Sequence, residues 1–142
     1  FSRFSRVYAA LSDYRQSLCE EASQKGWPLV RHPWLHYPDN ETLRDLEYQM
    51  MLGPDMMVAP ILEPKQRTHQ VYLPAAQWTH LWTGEQYTPM GVGEWFTVAA
   101  PLGQPPVFLR AKSAYAKQIV EIISNNNDLE GFFGTINNLP LV

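Results

Sequence analysis

Asp39 and Glu41 follow a short apolar segment and Asp55 and Glu63 flank the next one, which makes these four acids the candidates for chemistry done from loops. A chain without a metal motif must draw general acid and base groups from carboxylates, and the loop after a strand of a parallel barrel faces the active site. For Asp39 and Glu41 helix capping and first-turn dipole complementarity are nevertheless the favoured reading. Asp55 and Glu63 read as solvated turn residues. Histidine is the next option, at His32, His36, His69 and His80. His32 and His36 stand four apart, a ligand spacing on a helix. Their proline-broken segment reads as a strand, where that spacing puts the rings about 13 Å apart, too far to share an ion. No metal site is expected. Cys19 is the sole cysteine, so neither an internal disulfide nor a cysteine-built zinc site can form.

Arg31 lies inside the same apolar segment and needs a carboxylate partner or an anionic ligand, because burying a lone charge is very costly. An internal salt bridge is the favoured alternative. Tyr72, Trp78, Trp82, Tyr87 and Trp95 could form a platform for sugar rings, but large rings gain more from core burial than from one exposed stack. Gly91-Val92-Gly93 lies between strands and opens no helix, so it is no phosphate cradle. Asn40-Glu41-Thr42 matches the glycosylation acceptor pattern, which matters only in a secreted protein.

The elements that would position these residues follow from periodicity. Phe4, Val7, Tyr8, Leu11, Leu18 and Ala22 mark a helix that Gly26 ends and Pro28 keeps from resuming. Its pattern already runs at Phe1, so the sequence reads as the C-terminal part of a longer protein. Residues 27–37 read as a short buried strand entering a loop. A second helix is expected over about 40–52, with Leu43, Leu46, Met50 and Met51 as its stripe and Gly53-Pro54 as its stop. Helix, buried strand, helix is the period of an α/β fold with a parallel sheet. After Gly53 the rhythm changes. Strands are expected at Met56–Leu62, His69–Leu73, Trp78–Trp82, Glu94–Ala99 and Val107–Arg110, spaced as in a small antiparallel β-sandwich. A third helix is expected over 113–124, then an irregular tail to Val142 that is loosely held.

The whole chain has 142 residues, 45% of them apolar and 13% aromatic, with 11 basic residues against 14 acidic and a net charge of −3. That balance carries no electrostatic footprint for a phosphate backbone, so nucleic acid is not an expected partner. No stretch reaches the roughly 18 apolar residues of a membrane span, and the start shows no signal-peptide core.

Residues 28–39, Pro-Leu-Val-Arg-His-Pro-Trp-Leu-His-Tyr-Pro-Asp, and 48–62, Tyr-Gln-Met-Met-Leu-Gly-Pro-Asp-Met-Met-Val-Ala-Pro-Ile-Leu, carry a resemblance. So do Val71-Tyr72-Leu73-Pro74, Trp78 through Leu81-Trp82-Thr83-Gly84-Glu85, and 100–110. In this order and spacing, over about residues 1–113, they resemble the C-terminal third of glycoside hydrolase family 31. Leu35-His36-Tyr37 and Pro105-Pro106-Val107-Phe108 look closer to its sulfoquinovosidase branch than to its α-glucosidases. The family has Arg-Pro where this chain has Arg31-His32-Pro33. The resemblance implies the last strand and helices of a (β/α)8 TIM barrel over 1–52, a small antiparallel β-sandwich domain over 53–112, and a helix with an irregular tail over 113–142. It implies an α/β portion followed by an all-β one. It also implies a retaining α-glycosidase acting on a carbohydrate substrate, without a cofactor, through two carboxyls roughly 5 Å apart. In the family both acids and the main binding motifs precede this segment, so no catalytic, binding or metal residue is assigned here, and the segment alone is expected to be inactive. Its expected role is to close the barrel and support the active site. The alternative is a non-catalytic carbohydrate-binding or interaction β-module.

Overall fold

The computed structural model describes residues 2–124, and the tail expected over 125–142 lies outside them. Two helices open the chain, α1 (Ser2–Ala10) and α2 (Ser12–Lys25), where the apolar stripe predicts one. The break is at Leu11, whose ψ of 3° leaves helical geometry. Leu11 N–H still donates to Val7 O at 3.1 Å and Arg15 N–H to Leu11 O at 2.9 Å, so the axis is interrupted without losing its ladder. Gly26 ends α2 as expected, in the left-handed conformation (φ 72°) with its N–H on Ala22 O.

Residues 27–37 form no buried parallel strand. β1 (Val30–Arg31) is an edge strand that pairs antiparallel with β2 (Met50–Leu52), and a 3-10 turn at Pro33–Leu35 follows it. The expected helix over 40–52 is also corrected. Helix α3 stops after Glu41–Arg44, and the chain is back in a strand by Met50. Gln49 explains the change of state. Its buried amide donates from Nε2 to Tyr72 O at 2.8 Å and accepts from Tyr72 N–H at 2.8 Å, the two bonds that a neighbouring strand would make. A helix through this point would turn Gln49 away from that backbone. Gly53-Pro54-Asp55 then turns the chain into β3 (Met56–Val58), which pairs with β2 in the register Met51↔Met57.

Four of the remaining strands lie close to where alternation places them, β4 (Thr68–Pro74), β5 (Trp78–His80), β7 (Gly93–Ala99) and β8 (Val107–Arg110), while β6 (Gln86–Tyr87) is an unexpected short strand paired with β5, and helix α4 (Ala116–Ser124) follows. They make a six-stranded sheet in the order β1-β2-β3-β8-β5-β6 and a two-stranded ribbon β4-β7. Every strand pair among the described residues is antiparallel. The sheet is continuous across residues 52 and 53.

Period-two alternation in the central strands loads both faces of the sheet. Met56, Val107 and Leu109 face Tyr14 and Leu18 of α2 and Ala116 and Ile119 of α4. Their neighbours Met57 and Phe108 face the other way, into a core with Trp78 and with Val71, Leu73 and Val98 of the ribbon. Phe108, Met57 and Trp78 are fully buried, and each such side chain contributes about 1.5–3 kcal/mol of apolar transfer energy. The architecture is therefore helices on one face of the sheet and a β-ribbon on the other. Gly53 sits at the helix contact. A Cβ there would come within 2.4 Å of Leu18 Cδ2 and 2.5 Å of the Tyr14 hydroxyl, and its φ of 62° suits glycine.

Candidate functional site

The densest grouping of ionisable side chains lies where α2, β1, the 3-10 turn and the ends of β3 and β8 meet. Arg31 is its centre, 3% exposed on an edge strand. Its Nη2 donates to Glu21 Oε2 of α2, its Nε to Pro28 O at 2.6 Å, and its Nη1 faces His36 Nε2 at 3.3 Å. The Trp27 ring lies 5.0 Å below the guanidinium and stacks on the His36 ring at 5.6 Å. The Arg31 bond holds the Glu21 carboxyl below the usual carboxylate range. Burial, then the positive charges of Arg31 and Arg110, lower His36 from its ordinary value. A neutral His36 with its Nε2 lone pair toward Arg31 fits both observations.

Beside this triad stands a second one. Arg110 Nη2 donates to the Tyr37 hydroxyl at 2.5 Å, and Nη1 lies 3.9 Å from Asp55 Oδ1. Burial raises the Tyr37 hydroxyl against the opposing pull of Arg110. Tyr14 ties helix to turn: its hydroxyl donates to Leu52 O at 2.7 Å and accepts from Asp55 N–H at 3.1 Å. Burial raises the Tyr14 pKa, so the hydroxyl stays protonated. Between α2 and the 53–55 turn a cleft of about 370 Å³ exposes Glu20, Glu21 and Asp55.

Chemically the cluster is balanced. Glu21 faces Arg31 and Asp55 faces Arg110, whereas a retaining pair needs two carboxyls roughly 5 Å apart, one of them able to hold a proton. A carboxylate bonded to a guanidinium stays ionised at neutral pH and gives no acid.

The other residues singled out from sequence are scattered. Asp39 and Glu63 are exposed on turns, Glu41 is exposed in the first turn of α3 as expected, and the cap of α3 is not Asp39 but Asn40, whose Oδ1 accepts from Leu43 N–H. Asn40 is buried, with Nδ2 donating to the Tyr72 hydroxyl at 3.1 Å and Val92 O at 2.9 Å, so the glycosylation pattern at 40–42 falls on a structural residue. His32 and His36 are not strand residues as expected but flank the 3-10 turn: His32 caps it and bonds Leu46 O, while His36 bonds Arg31. His80 is buried against Phe108, its Nδ1 meeting Thr83 N–H, and burial lowers its pKa. His69 faces Gln66. Arg31 has the carboxylate partner that its burial demands. Cys19 is exposed on α2. Among the described residues no three ligating side chains gather to hold a metal, and no helix is long and apolar enough to cross a membrane. Of the five candidate platform rings, Trp78 and Tyr72 are buried, Trp82 and Tyr87 half-buried, and only Trp95 is half in solvent. They make no exposed row. Sequence reasoning missed Glu21, Tyr14 and Arg110 as members of the cluster, since nothing local ties them to Arg31.

Residues 26–114 match the model of the glycosyl hydrolase family 31 C-terminal domain. The sulfoquinovosidase of Escherichia coli strain K12 is 39% identical over 116 residues, 82% of this chain and 16% of that protein. Alpha-glucosidase 2 of Bacillus thermoamyloliquefaciens is 31% identical over 100 residues, 70% of this chain and 12% of that protein. Among solved structures, a sulfoquinovosidase from E. rectale, in complex with an aza-sugar inhibitor, superposes with a TM-score of 0.79 at 37% identity over 87% of this chain and 18% of that one. The chain thus spans about a sixth of the length of the sulfoquinovosidases it matches.

Proposed function

The chain belongs to glycosyl hydrolase family 31, and from that membership we propose that it is the C-terminal part of a retaining α-glycosidase that hydrolyses O-glycosyl bonds of α-sulfoquinovosides or α-glucosides. The observation that carries the reading is the superposition of 87% of this chain on a sulfoquinovosidase with a TM-score of 0.79. Of the two substrate classes we favour the sulfoquinovosides, because the sulfoquinovosidase of E. coli aligns over more of this chain and at higher identity than the α-glucosidase. The two catalytic carboxylates belong to the rest of such a protein, as the family resemblance implies.

The segment's part in the enzyme is mechanical. Helices α1 and α2 belong to the end of the (β/α)8 barrel, the sheet and ribbon form the C-terminal β-domain, and α4 locks the sheet's helix face from beyond residue 112. Pairing of Val30–Arg31 with Met51–Leu52 commits that strand to the β-domain. Bracing through α2 and the Glu21–Arg31 pair, rather than a closing barrel strand, is what this segment brings to the active-site face.

The test is hydrolysis by the full-length protein of 4-nitrophenyl α-sulfoquinovoside and 4-nitrophenyl α-glucoside, with the anomer of the first product read by NMR. Release of the α-anomer, faster from the sulfonated sugar, is the expected result. Inactivity on both, or release of the β-anomer, refutes the proposal.

A further inference from the structure

Between the segment that follows β3 and the one that follows β7 lies a cleft of about 600 Å³, within the size range of small-molecule sites. None of the residues of the Arg31 cluster lines it. Pro60, Pro64, Pro101 and Pro105 form much of its wall, with Ile61 and Leu102 beside them. That wall is fixed in place. Ala100 N–H donates to Arg67 O at 2.7 Å, Gln104 N–H to Pro101 O at 3.0 Å, and Trp82 Nε1 to Pro105 O at 2.7 Å. A cleft so bounded is largely preformed, and a ligand entering it orders little.

Its rim is charged, and unevenly. Lys65 and Arg67 stand there against one acid, Glu63, and neither cation makes an ion pair among the described residues. Lys65 is also the only non-glycine residue among them with a left-handed backbone, at φ 64°. Pro64 presets the turn in which it sits, and a glycine would occupy the next position without strain. Lysine held where glycine fits better points to a use for its ammonium.

We propose that this cleft binds a small amphiphilic anion, with a sulfonate, carboxylate or phosphate head between Lys65 and Arg67 and a short hydrocarbon or ring body on the proline wall. The charge of the rim selects the head and the lining selects the body. A bare sugar would leave its hydroxyls against proline and leucine, so the cleft is distinct in chemistry from a glycoside site.

The probe is hexane-1-sulfonate, titrated calorimetrically into the full-length protein, with methanesulfonate and hexan-1-ol as head-only and body-only controls. Binding of one hexane-1-sulfonate per cleft is expected, weakened by salt, and about fivefold or more weaker in the double variant Lys65→Glu, Arg67→Glu. Leu102→Asp is expected to weaken it as well. All three side chains are exposed, so the variants should fold, which circular dichroism checks. No saturable binding, affinity unchanged in the charge-reversed variant, or hexan-1-ol binding as well as the sulfonate would each overturn the proposal. Sulfonate captured at an active site would survive both substitutions and so counts against it.

Discussion

Removing Glu21 should harm the junction of α2 and β1 more than removing Arg31, although the two make one ion pair. In Glu21→Ala the Arg31 guanidinium, whose side chain is 1% exposed, keeps the Pro28 carbonyl, the His36 ring and the face of Trp27 but no counter-charge. Breaking a buried pair from one side costs about 3–5 kcal/mol. Glu21 is 26% exposed, so part of the pair already sees water and about 2–4 kcal/mol is the better expectation. In Arg31→Met the surviving carboxylate can turn to solvent, methionine still covers Trp27, and the loss is about 1–2 kcal/mol of hydrogen bonding. The double variant should lie near Arg31→Met alone. Hydrogen exchange of the full-length protein, read on peptides covering residues 26–37, reports this local opening. At tenfold per 1.4 kcal/mol, Glu21→Ala should speed exchange by about thirty- to several-hundredfold. A change under about threefold, or a larger effect of Arg31→Met, would refute the reasoning.

Protection of the same peptides, taken relative to the intrinsic exchange rate at each pH, should fall in acid. His36 titrates lower in the folded chain than its unfolded value of about 6.5, so the unfolded state binds more protons as pH falls; stability is full above that value and is lost down through the folded pKa. Glu21, also lowered, adds a second loss as pH falls below about 4.5. His36→Gln keeps an acceptor for Arg31 and cannot be protonated, so its protection should be flatter between pH 7 and 5; an unchanged slope assigns the effect elsewhere. Gly53→Ala should destabilise by about 3–5 kcal/mol, left-handed strain plus overpacking against Leu18 and Tyr14, whereas Gly84→Ala, at φ 71° with open space around it, should cost about 1–2 kcal/mol by thermal or urea unfolding. Asn40→Ala should cost about 2–3 kcal/mol through the lost cap and the stranded Tyr72 hydroxyl, and Asn40→Asp, which keeps the cap, about half of that.

Where the chain alternates, its strands are legible. Val107, Phe108 and Leu109 look to opposite faces in turn, and both faces are covered, so the segment reads as apolar from end to end and falls where expected. The failure at 40–52 has the opposite cause. Leu43, Leu46 and Met50 share a helical spacing, yet the structure uses Leu43 in a one-turn helix and leaves Met50 exposed beside a fully buried Met51. What decides the state is Gln49, and its partner is the backbone of Tyr72, 23 residues away. A periodicity argument sees only neighbours in sequence. The short strands Val30–Arg31 and Gln86–Tyr87 owe their state to the ladders they join, and two residues carry no period of their own.

The cluster around Arg31 divides along the same line. That Arg31 needs an anion follows from composition and charge alone, because burial forces the question. Which anion it finds depends on α2 ending where Gly26 ends it, which sets Glu21 ten residues back beside β1. Arg110 reaches Tyr37 across 73 residues, and no local pattern announces that. The pairing also decides how substitutions here should be read. The Glu21 carboxylate, bonded to the Arg31 guanidinium and held below the usual carboxylate range, is poorly placed to donate a proton or attack, so losses at Glu21 should read as failures of posture. A variant enzyme carrying them should recover rate as temperature falls and the junction recloses. One missing a reacting group would stay slow at every temperature.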